Sequence, residues 1–469
     1  MATHSTPCPR TDKESPVPKR PSSAELPPGP KGRIRNLVRR IRGYSRLLTR
    51  LHEEYGDIVY FELPGAGFCV VYSPELIEEV LVTRESEFPT IDFASQSDLV
   101  EFTPLTSQNG ESHRLRYPIM ESAFAGDRMV PYSEIILREA LRLREKCRPD
   151  TVVDIQDEFA NYAWACIIGS YLGRDVDFPY SVGKQVVAYL RLHMMLQFLP
   201  GTRLLASLPL PALVKGERAS KALDDRIYAA IRRAREDPSH DGHDVVSHFV
   251  RAGEQGIVDW TFANDRAIRD EVLVLCGYVD GPIGALTLAV YYLGMNPAVR
   301  DRLEQEVDEV AGGRPIDVAD FDRLTYTQAF CRELLRVDPP TYVSLPKVAA
   351  DDLTLGGYFI PQGTLMHSAP KVVGHRAEYW DKPDEFRPER WLDDPRAGCP
   401  PCPAHSYVPF GSGPHTCIGG GLATRMIVYG VATLAQRLRL DPQSDRIPEV
   451  SNVGATVLGR TPVAVKERR

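Results

Sequence analysis

The amino-acid sequence predicts a mainly α-helical protein with a small β-region, which is an α+β fold. An apolar-periodic run from about Asp265 to Leu293 is long enough for one helix of roughly 40 Å. Residues 131–260 also carry mostly helical spacing of apolar side chains. Strand and turn signals are concentrated in two short stretches, 57–72 and 352–364, so the sheets should be small.

Length and composition indicate one globular domain. The chain has 469 residues, of which 43% are hydrophobic and 25% charged, and no Gly/Ser linker or internal repeat divides it. We therefore expect a tail over residues 1–26 and a single domain over 27–469. The net charge of −7 argues against general nucleic-acid binding.

The first 26 residues are polar and rich in Pro, Ser, Lys and Arg, which predicts a disordered tail rather than a signal peptide. No stretch is a credible membrane span, so no membrane anchor is expected. Nine cysteines at irregular spacing favour a reducing compartment over a disulfide framework. Cys399 and Cys402 form a CxxC pair, but the prolines around them favour a plain loop.

Local signals divide the first quarter of the chain into short elements. Loops as long as the one at 88–109 are often functional in compact domains. The predicted elements are a helix at 44–54, strands at 57–63 and 67–72, a helix from Pro74 to about Val82, a loop at 88–109 and a helix from Gly110 to Phe124.

The middle of the chain is expected to be helical. The stretch 159–172 is strongly apolar and should lie in the core, and the apolar side chains of 185–199 are consistent with a core-facing helix. The central run contains Gly277, Gly281, Pro282 and Gly284 in its middle, all of which oppose helix propensity. A sharp kink there is the direct inference.

The stretch Phe-Gly-Ser-Gly-Pro-His-Thr-Cys-Ile-Gly at 410–419 is the clearest local motif. Its glycines allow tight turns and close approach of the backbone to a flat ligand, and Phe410 adds an aromatic surface. Cys417 ends this loop just before an apolar run, where helix N–H groups would lower the pKa of a thiol. A buried structural cysteine in a glycine-rich turn is the alternative.

This motif resembles the haem-binding signature of the cytochrome P-450 family at each fixed place, including Phe410, Cys417 and Gly419. The resemblance implies a soluble, bacterial-type member in which helices form a triangular prism around haem b. Cys417 would then be the proximal iron ligand. It also places 185–199 above the haem as part of the substrate roof, which is compatible with a core role.

The resemblance implies further haem-binding positions at His113, Lys347 and His415, which would meet the haem carboxylates. At Lys347 and His415 the family usually has Arg. Four residues after His113, where Arg or Lys is common, stands Tyr117, although Arg114 and Arg116 are near in sequence. A surface histidine is the alternative for His113. Because His is only partly charged near neutral pH, haem retention is expected to be pH-sensitive.

In the central helix the family pattern places an acid and then a Thr at 280 and 281. Asp280 supplies the acid, but Gly281 has no hydroxyl. Asp280 and Gly281 are therefore the candidate catalytic positions, and a carboxylate satisfying local backbone groups is the alternative for Asp280.

The sequence Glu333-Leu-Leu-Arg336 is uninformative alone, since Glu and Arg three apart make an ordinary helical pair. Together with Arg390 it resembles the family's buried Glu–Arg–Arg cluster. Such a network would hold the scaffold that carries the thiolate loop, so its role is structural.

The implied activity is a monooxygenase that oxidises a small organic molecule with dioxygen in secondary metabolism. A separate ferredoxin or flavodoxin and its reductase would supply electrons, and the protein is expected to be a cytoplasmic monomer. Because Gly281 replaces Thr, one alternative is atypical haem-thiolate chemistry: peroxygenase, isomerase, dehydratase or oxidative coupling. A second alternative is a non-catalytic haem protein that captures a ligand.

Overall fold

The computed structural model describes residues 25–91, 100–197, 211–237, 242–256, 264–393, 403–450, 457 and 459–468. Most of the expected tail and both cysteines of the CxxC pair lie outside these ranges.

Helices dominate the described part of the chain. In chain order they are α1 (Arg33–Arg42), α2 (Tyr44–Tyr55), α3 (Pro74–Glu78), α4 (Gly110–Ser122), α5 (Met129–Lys146), α6 (Ile155–Leu172), α7 (Tyr180–Gln197), α8 (Pro211–Glu236), α9 (Val245–Glu254), α10 (Asp265–Cys276), α11 (Asp280–Met295), α12 (Pro297–Ala311), α13 (Thr325–Val337), α14 (Pro370–Gly374), α15 (Arg390–Asp393) and α16 (Gly420–Ala435).

The strands are short and form separate small sheets. They are β1 (Ile58–Leu63), β2 (Ala66–Val71), β3 (Thr151–Asp154), β4 (Lys347–Val348), β5 (Leu353–Leu355), β6 (Tyr358–Ile360), β7 (Leu365–Ser368), β8 (Leu438–Pro442) and β9 (Pro462–Glu467). Helices around small sheets confirm the predicted α+β class.

The main core lies between α5, α6, α11 and α16, which pack against one another. Every residue of α11 from Pro282 to Tyr292 is buried, because its side chains are apolar on all sides. Only the run Asp265–Met295 is long and apolar enough to cross a membrane among the described residues, and 78% of its most apolar stretch is buried in the protein. It is the core helix of the fold.

A 3₁₀ turn interrupts the central run at the place where a kink was predicted. Cys276 ends α10, a 3₁₀ turn occupies Gly277–Val279, and α11 begins at Asp280. Pro282 thus lies in the first turn of α11, where its missing N–H costs no helical hydrogen bond. The glycines and Pro282 therefore divide the run into two helices.

The largest sheet joins strands from both halves of the chain in the order β1-β2-β7-β4. The β1–β2 hairpin was predicted, and its β2 pairs in parallel with β7. Antiparallel pairing of β4 with β7 then sets Lys347 opposite Met366, and an isolated bridge joins Lys347 to Thr90. The sheet thus carries Lys347 to the segment that follows α3.

Other parts of the fold differ from the expectation. The helix predicted from Pro74 continues past Glu78 as a π-helical turn, Glu79–Thr83. Helix α1 was not predicted, and β3 lies in a region expected to be mostly helical. Because β3 pairs with β9 at the far end of the chain, no local signal reveals it.

Candidate functional site

The segment 410–419 forms a tight loop ahead of α16. Gly411 and Gly413 have φ angles of 76° and 72°, a conformation that glycine adopts without strain. A Cβ on Gly413 would also collide with the carbonyl oxygen of Leu81. The loop therefore needs glycine at these positions to bring Cys417 to the start of the helix.

Backbone contacts fix Cys417 in this loop. Its N–H donates to the carbonyl of Phe410 at 2.9 Å. The Phe410 ring packs on the first turn of α16, since a Cβ on Gly420 would lie 3.4 Å from it. The Tyr117 hydroxyl of α4 donates to the carbonyl of Thr416 at 3.1 Å. Tyr117 therefore braces the loop from the position where the family often has a cation.

Burial raises the pKa of the Cys417 thiol, and the backbone N–H groups of Gly419 and Gly420 oppose that rise. We expected the helix N-terminus to lower this pKa. The N–H groups act in the expected direction, but the loss of solvation outweighs them. A coordinating metal ion would still deprotonate a thiol in this position.

Cys417 is the one cysteine among the described free thiols whose side chain is exposed. Burial nevertheless raises its pKa, so the sulfur lies among protein groups although part of its surface is open. The other described cysteines are buried: Cys69, Cys147, Cys166, Cys276 and Cys331.

Three residues predicted to meet haem carboxylates come together in space. The rings of His113 and His415 lie with centroids 3.9 Å apart. Lys347 Nζ lies 3.2 Å from Thr90 Oγ1 and 3.6 Å from Glu85 Oε1, and His415 Nε2 lies 2.9 Å from the same Glu85 oxygen. We call these five residues the basic cluster. His113 is 5% exposed, so the surface interpretation of it was wrong.

Of the three basic side chains in the basic cluster, only that of Lys347 is mostly charged at neutral pH. Burial lowers the pKa of Lys347 to about 8, although Glu85 raises it. Burial and the neighbouring cation Lys347 lower the pKa of His415 to about 3, and burial with His415 lowers that of His113 to about 4. Lys347 is therefore mostly charged at pH 7, whereas both histidines are neutral.

Arg114 and Arg116, which are near His113 in sequence, lie outside the basic cluster. Arg114 is exposed on α4. Arg116 is buried, and its Nη2 lies 2.7 Å from Glu271 Oε1 on α10. Arg114, the next position along the helix, points in another direction from His113, and Arg116 is held by Glu271, so neither arginine joins the basic cluster.

The Glu–Arg–Arg cluster is present and fully enclosed. Arg336 donates two hydrogen bonds to the Glu333 carboxylate at 2.8 and 2.9 Å, and Arg390 Nε donates a third at 3.0 Å. The indole N–H of Trp391 and the backbone N–H of Arg387 complete the set. Burial alone would raise the pKa of Glu333, but these donors and charges lower it. The carboxylate is thus held ionised within the core.

Asp280 begins α11, is 6% exposed and forms an ion pair with Arg191 of α7. A cavity of about 210 Å³ adjoins this pair and is lined by α6, α7 and α11. Tyr180 lies on the cavity wall and opposes the fall in the pKa of Arg191 that burial causes. Asp280 therefore has a cationic side-chain partner in addition to any backbone contact.

Open space lies beside Gly281, where an added Cβ would meet no heavy atom within 4 Å. Leu190 of α7 approaches the 3₁₀ turn, because a Cβ on Gly277 would lie 3.4 Å from its Cδ1. Val186 and Val187 are buried. Helix α7 thus packs in the core and also contacts the 3₁₀ turn between α10 and α11. The apolar side chains at 194–199, which were predicted to belong to the same face, lie outside the described residues.

The loop before α4 is fastened to α10 by buried carboxylates. Asp270 accepts hydrogen bonds from the N–H groups of Glu101 and Phe102 at 2.8 and 3.0 Å. Glu271 accepts one from the N–H of Leu105 at 2.8 Å. Burial raises the pKa of Glu271 to about 7. Part of the loop at 88–109 is therefore held directly against the central helices.

Sequence reasoning missed the residues that enter the site from distant segments. Glu85 contacts His415 across 330 positions, so spacing gives no sign of it. Arg191 left a weak signal, because a charge within the apolar stretch 185–199 suggests a buried partner. Tyr278 left one as well, since it is an aromatic residue within a glycine-rich helix break.

Three known proteins are similar to this chain over most of its length. Cyclooctat-9-en-7-ol 5-monooxygenase of Streptomyces melanosporofaciens is 26% identical over 92% of each chain. Cyclooctatin synthase of that organism is 27% identical over 83% of this chain and 84% of its own, and pentalenene oxygenase of Streptomyces avermitilis is 25% identical over 84% and 87%.

The sequence model of one protein family matches almost the whole chain. The cytochrome P-450 model matches residues 27–466, which include the thiolate loop, the basic cluster and the buried Glu–Arg–Arg cluster. With the match covering most of its length, this chain belongs to the cytochrome P-450 family.

Proposed function

We propose that this cytochrome P-450 monooxygenase binds haem b with Cys417 as the axial thiolate. The observation that carries the proposal is a thiol with open surface, held by a glycine loop at the start of α16. Space beside Gly281 on the central helices and a charged Lys347 in a buried position fit a flat, dianionic group. The residues therefore suit the family's cofactor.

Within this proposal the basic cluster holds the haem carboxylates. Lys347 would supply the charge, while His113 and His415 would supply N–H donors or titrate toward the charged form beside the carboxylates. Phe410 and Gly419 would border the thiolate side. Glu85 already pairs with Lys347 and His415, so a haem carboxylate would share these partners with it.

Haem with a thiolate ligand supplies the chemistry that cleaves dioxygen and oxidises the substrate. The chain's own residues would govern substrate placement and proton supply. We propose that Asp280, which pairs with Arg191 at the break in the central helix, takes part in proton supply there. Gly281 leaves the neighbouring position without a hydroxyl.

The substrate we propose is a small, mostly apolar cyclic molecule of secondary metabolism. The names of two relatives describe an alkenol and an alkene as substrates. We further propose electron supply by a separate ferredoxin or flavodoxin with its reductase, a monomeric state, a cytoplasmic location and a single domain over 27–469 behind the tail at 1–26.

Spectroscopy and turnover test this proposal together. Reduced protein with carbon monoxide should show the strongly red-shifted Soret band of thiolate-ligated haem. Cyclic alkenes and alkenols should then be oxidised when ferredoxin, reductase and NAD(P)H are present. A histidine-type spectrum would contradict the ligand assignment. A turnover rate that is the same with and without NAD(P)H would contradict the monooxygenase route.

Gly281 favours one second candidate, a haem-thiolate enzyme that uses peroxide or no oxidant at all. The space beside Gly281 holds no protein hydroxyl from that position to direct protons. A rate of product formation with peroxide alone that equals the rate with ferredoxin, reductase and NAD(P)H would support a peroxygenase. Product formed at full rate without reductant or peroxide would support an isomerase or dehydratase.

A further inference from the structure

Helices α1 and α2 carry the same apolar spacing but place it differently. In α2 the apolar residues at 44, 47, 48 and 51 are all buried in the main core. In α1 the same spacing holds apolar residues at 34, 37, 38 and 41, and we call this side of the helix the apolar face of α1. Ile34 is 74% exposed and Leu37 is 37% exposed. Both are therefore open to solvent instead of packed in the core.

The side of α1 that meets the protein is polar. Asn36 is 1% exposed, and its Nδ2 donates to the carbonyls of Pro30 and Glu62 at 3.1 and 3.2 Å. Glu62 belongs to β1, so Asn36 fastens the helix to that strand. At 3.6 residues per turn, Ile34 lies about 200° around the helix from Asn36. The helix thus packs through a polar side chain and turns Ile34 outward.

Cations surround the apolar face of α1. Residues 31–50 contain eight Lys and Arg and no Asp or Glu, although the chain as a whole has a net charge of −7. Arg33 pairs with Glu62 on the surface at 3.0 Å, and Arg35 is exposed. By helical spacing, arginine occupies positions on both sides of the apolar face, at 33 and 40 on one side and at 35 and 42 on the other.

We propose that α1 is a peripheral membrane-binding helix that lies on an anionic lipid surface. Ile34 and Leu37 would enter the boundary between headgroups and acyl chains, and the arginines beside them would meet lipid phosphates. A helix with one apolar side and a basic polar side is suited to this boundary, where it lies in the plane of the membrane and does not cross it. The proposal goes beyond the proposed function and requires no haem chemistry.

Charge and apolar surface together favour a lipid over other partners. An acidic protein surface would pair with the arginines but would not require an apolar residue such as Ile34 between them. A symmetric contact with a second copy of this chain would set two segments of eight cations against each other. An anionic bilayer supplies negative phosphates and an apolar interior at the same surface.

Flotation of the full, haem-loaded chain with vesicles tests the proposal. Wild type should bind vesicles of phosphatidylcholine with phosphatidylglycerol, should bind phosphatidylcholine alone about tenfold more weakly, and should be released by salt. A double variant, Ile34→Ser with Leu37→Ser, keeps the charge and removes apolar surface, so its binding should be about tenfold weaker. Arg35→Gln should weaken binding about fivefold and make it less dependent on salt.

Val152→Ser is the matched control, because Val152 is an apolar residue of β3 that is 63% exposed, and β3 pairs with β9 rather than with β1. It should bind vesicles as wild type does. Equal binding of wild type to both kinds of vesicle would overturn the proposal. Equal binding of wild type and the double variant to the anionic vesicles would also overturn it, because capture would then depend on charge alone.

Two further measurements on the double variant detect other occupants of the apolar face of α1. A dimer of wild type that the double variant does not form would show that a second copy covers the face. A lower unfolding temperature of the double variant would show that another segment of this chain covers it. Either result would overturn the proposal. A thiolate-type carbon monoxide spectrum in the same samples keeps these outcomes separate from failure of the proposed function.

Discussion

The thiolate side of the site comprises the loop 410–419 and the Glu–Arg–Arg cluster, and the opposite side comprises the break between α10 and α11 with the loop fastened to it. On the thiolate side every oxygen of Glu333 has donors, and Arg336 and Glu333 have no exposed side-chain surface. On the opposite side, open space adjoins Gly281, and Tyr278 is 45% exposed.

The two sides of the site differ in how well they tolerate a substitution. A buried charge network loses several kcal/mol when one partner is removed, because the remaining charge is left uncompensated in the core. A side chain that faces a cavity has fewer partners to lose, so its identity can change the chemistry and leave the fold intact. Cys417 and the Glu–Arg–Arg cluster on the thiolate side therefore keep the family pattern, whereas Gly281 on the opposite side departs from it.

The thiol itself should give the largest effect. Cys417→Ala is expected to lose the red-shifted carbon monoxide band and essentially all turnover, because no other group in the loop can donate a thiolate to the iron. Absorbance of the reduced protein with carbon monoxide measures this. Cys147→Ala, which removes a buried thiol at the end of α5, should keep the band. A red-shifted band in Cys417→Ala would show that the ligand is another residue.

The Glu–Arg–Arg cluster should give the next largest effect. Glu333→Ala removes one partner of a buried network and should cost about 3–5 kcal/mol, which is much of the stability of a typical domain. Insoluble or haem-free protein is the expected result. Glu389→Ala removes a half-exposed carboxylate that pairs with Arg302 on the surface and should cost under about 1 kcal/mol. Similar haem content in both variants would contradict the distinction.

Lys347 should have an intermediate effect on haem retention. A hydrogen bond to a charged group contributes about 1.5–3 kcal/mol, so Lys347→Ala should raise the haem dissociation rate about 10- to 100-fold at pH 7. Haem transfer to apomyoglobin measures this rate. Lys382→Ala, which removes an exposed lysine paired with Glu385, should leave it unchanged.

The same residue predicts a pH dependence. Without haem the pKa of Lys347 is about 8, and a bound carboxylate would raise it. The contribution of Lys347 to haem affinity is therefore complete below pH 8 and is lost as the pH rises through the value in the bound state. Wild type should lose haem faster above pH 8, and Lys347→Arg should not. If the rate of haem loss depends on pH in the same way in both proteins, Lys347 does not hold a haem carboxylate.

Position 281 should give the smallest effect and the one most dependent on substrate. Gly281→Thr adds a hydroxyl where the space is open, and it should lower the peroxide released per product several-fold with substrates that lack polar groups. Gly281→Val adds the same volume without a hydroxyl and should not lower it. Tight coupling of wild type with many unrelated hydrocarbons would argue against assistance by the substrate and in favour of an ordered water.

The fold class and the thiolate side followed from the sequence because their signals are local. Glycines at 411 and 413 are required by the φ angles of a single loop, and Glu333 and Arg336 lie three apart on one helix. Gly277 and Pro282 likewise marked the interruption of the central helix. In the loop and at the helix break the backbone within a few residues imposes the requirement, whereas the Glu333–Arg336 pair became informative only through its resemblance, together with Arg390, to a known family.

Contacts between distant segments were decided only in three dimensions. Glu85 and Thr90 join His415 through pairing of β4 with β7 and with the segment after α3, and Leu105 of the loop at 88–109 is fastened to Glu271 of α10. The direction of the Cys417 pKa was also set by tertiary structure, because burial by the surrounding elements outweighs two local N–H groups. Packing of distant elements determines solvation and partners, and a single sequence carries no local record of either.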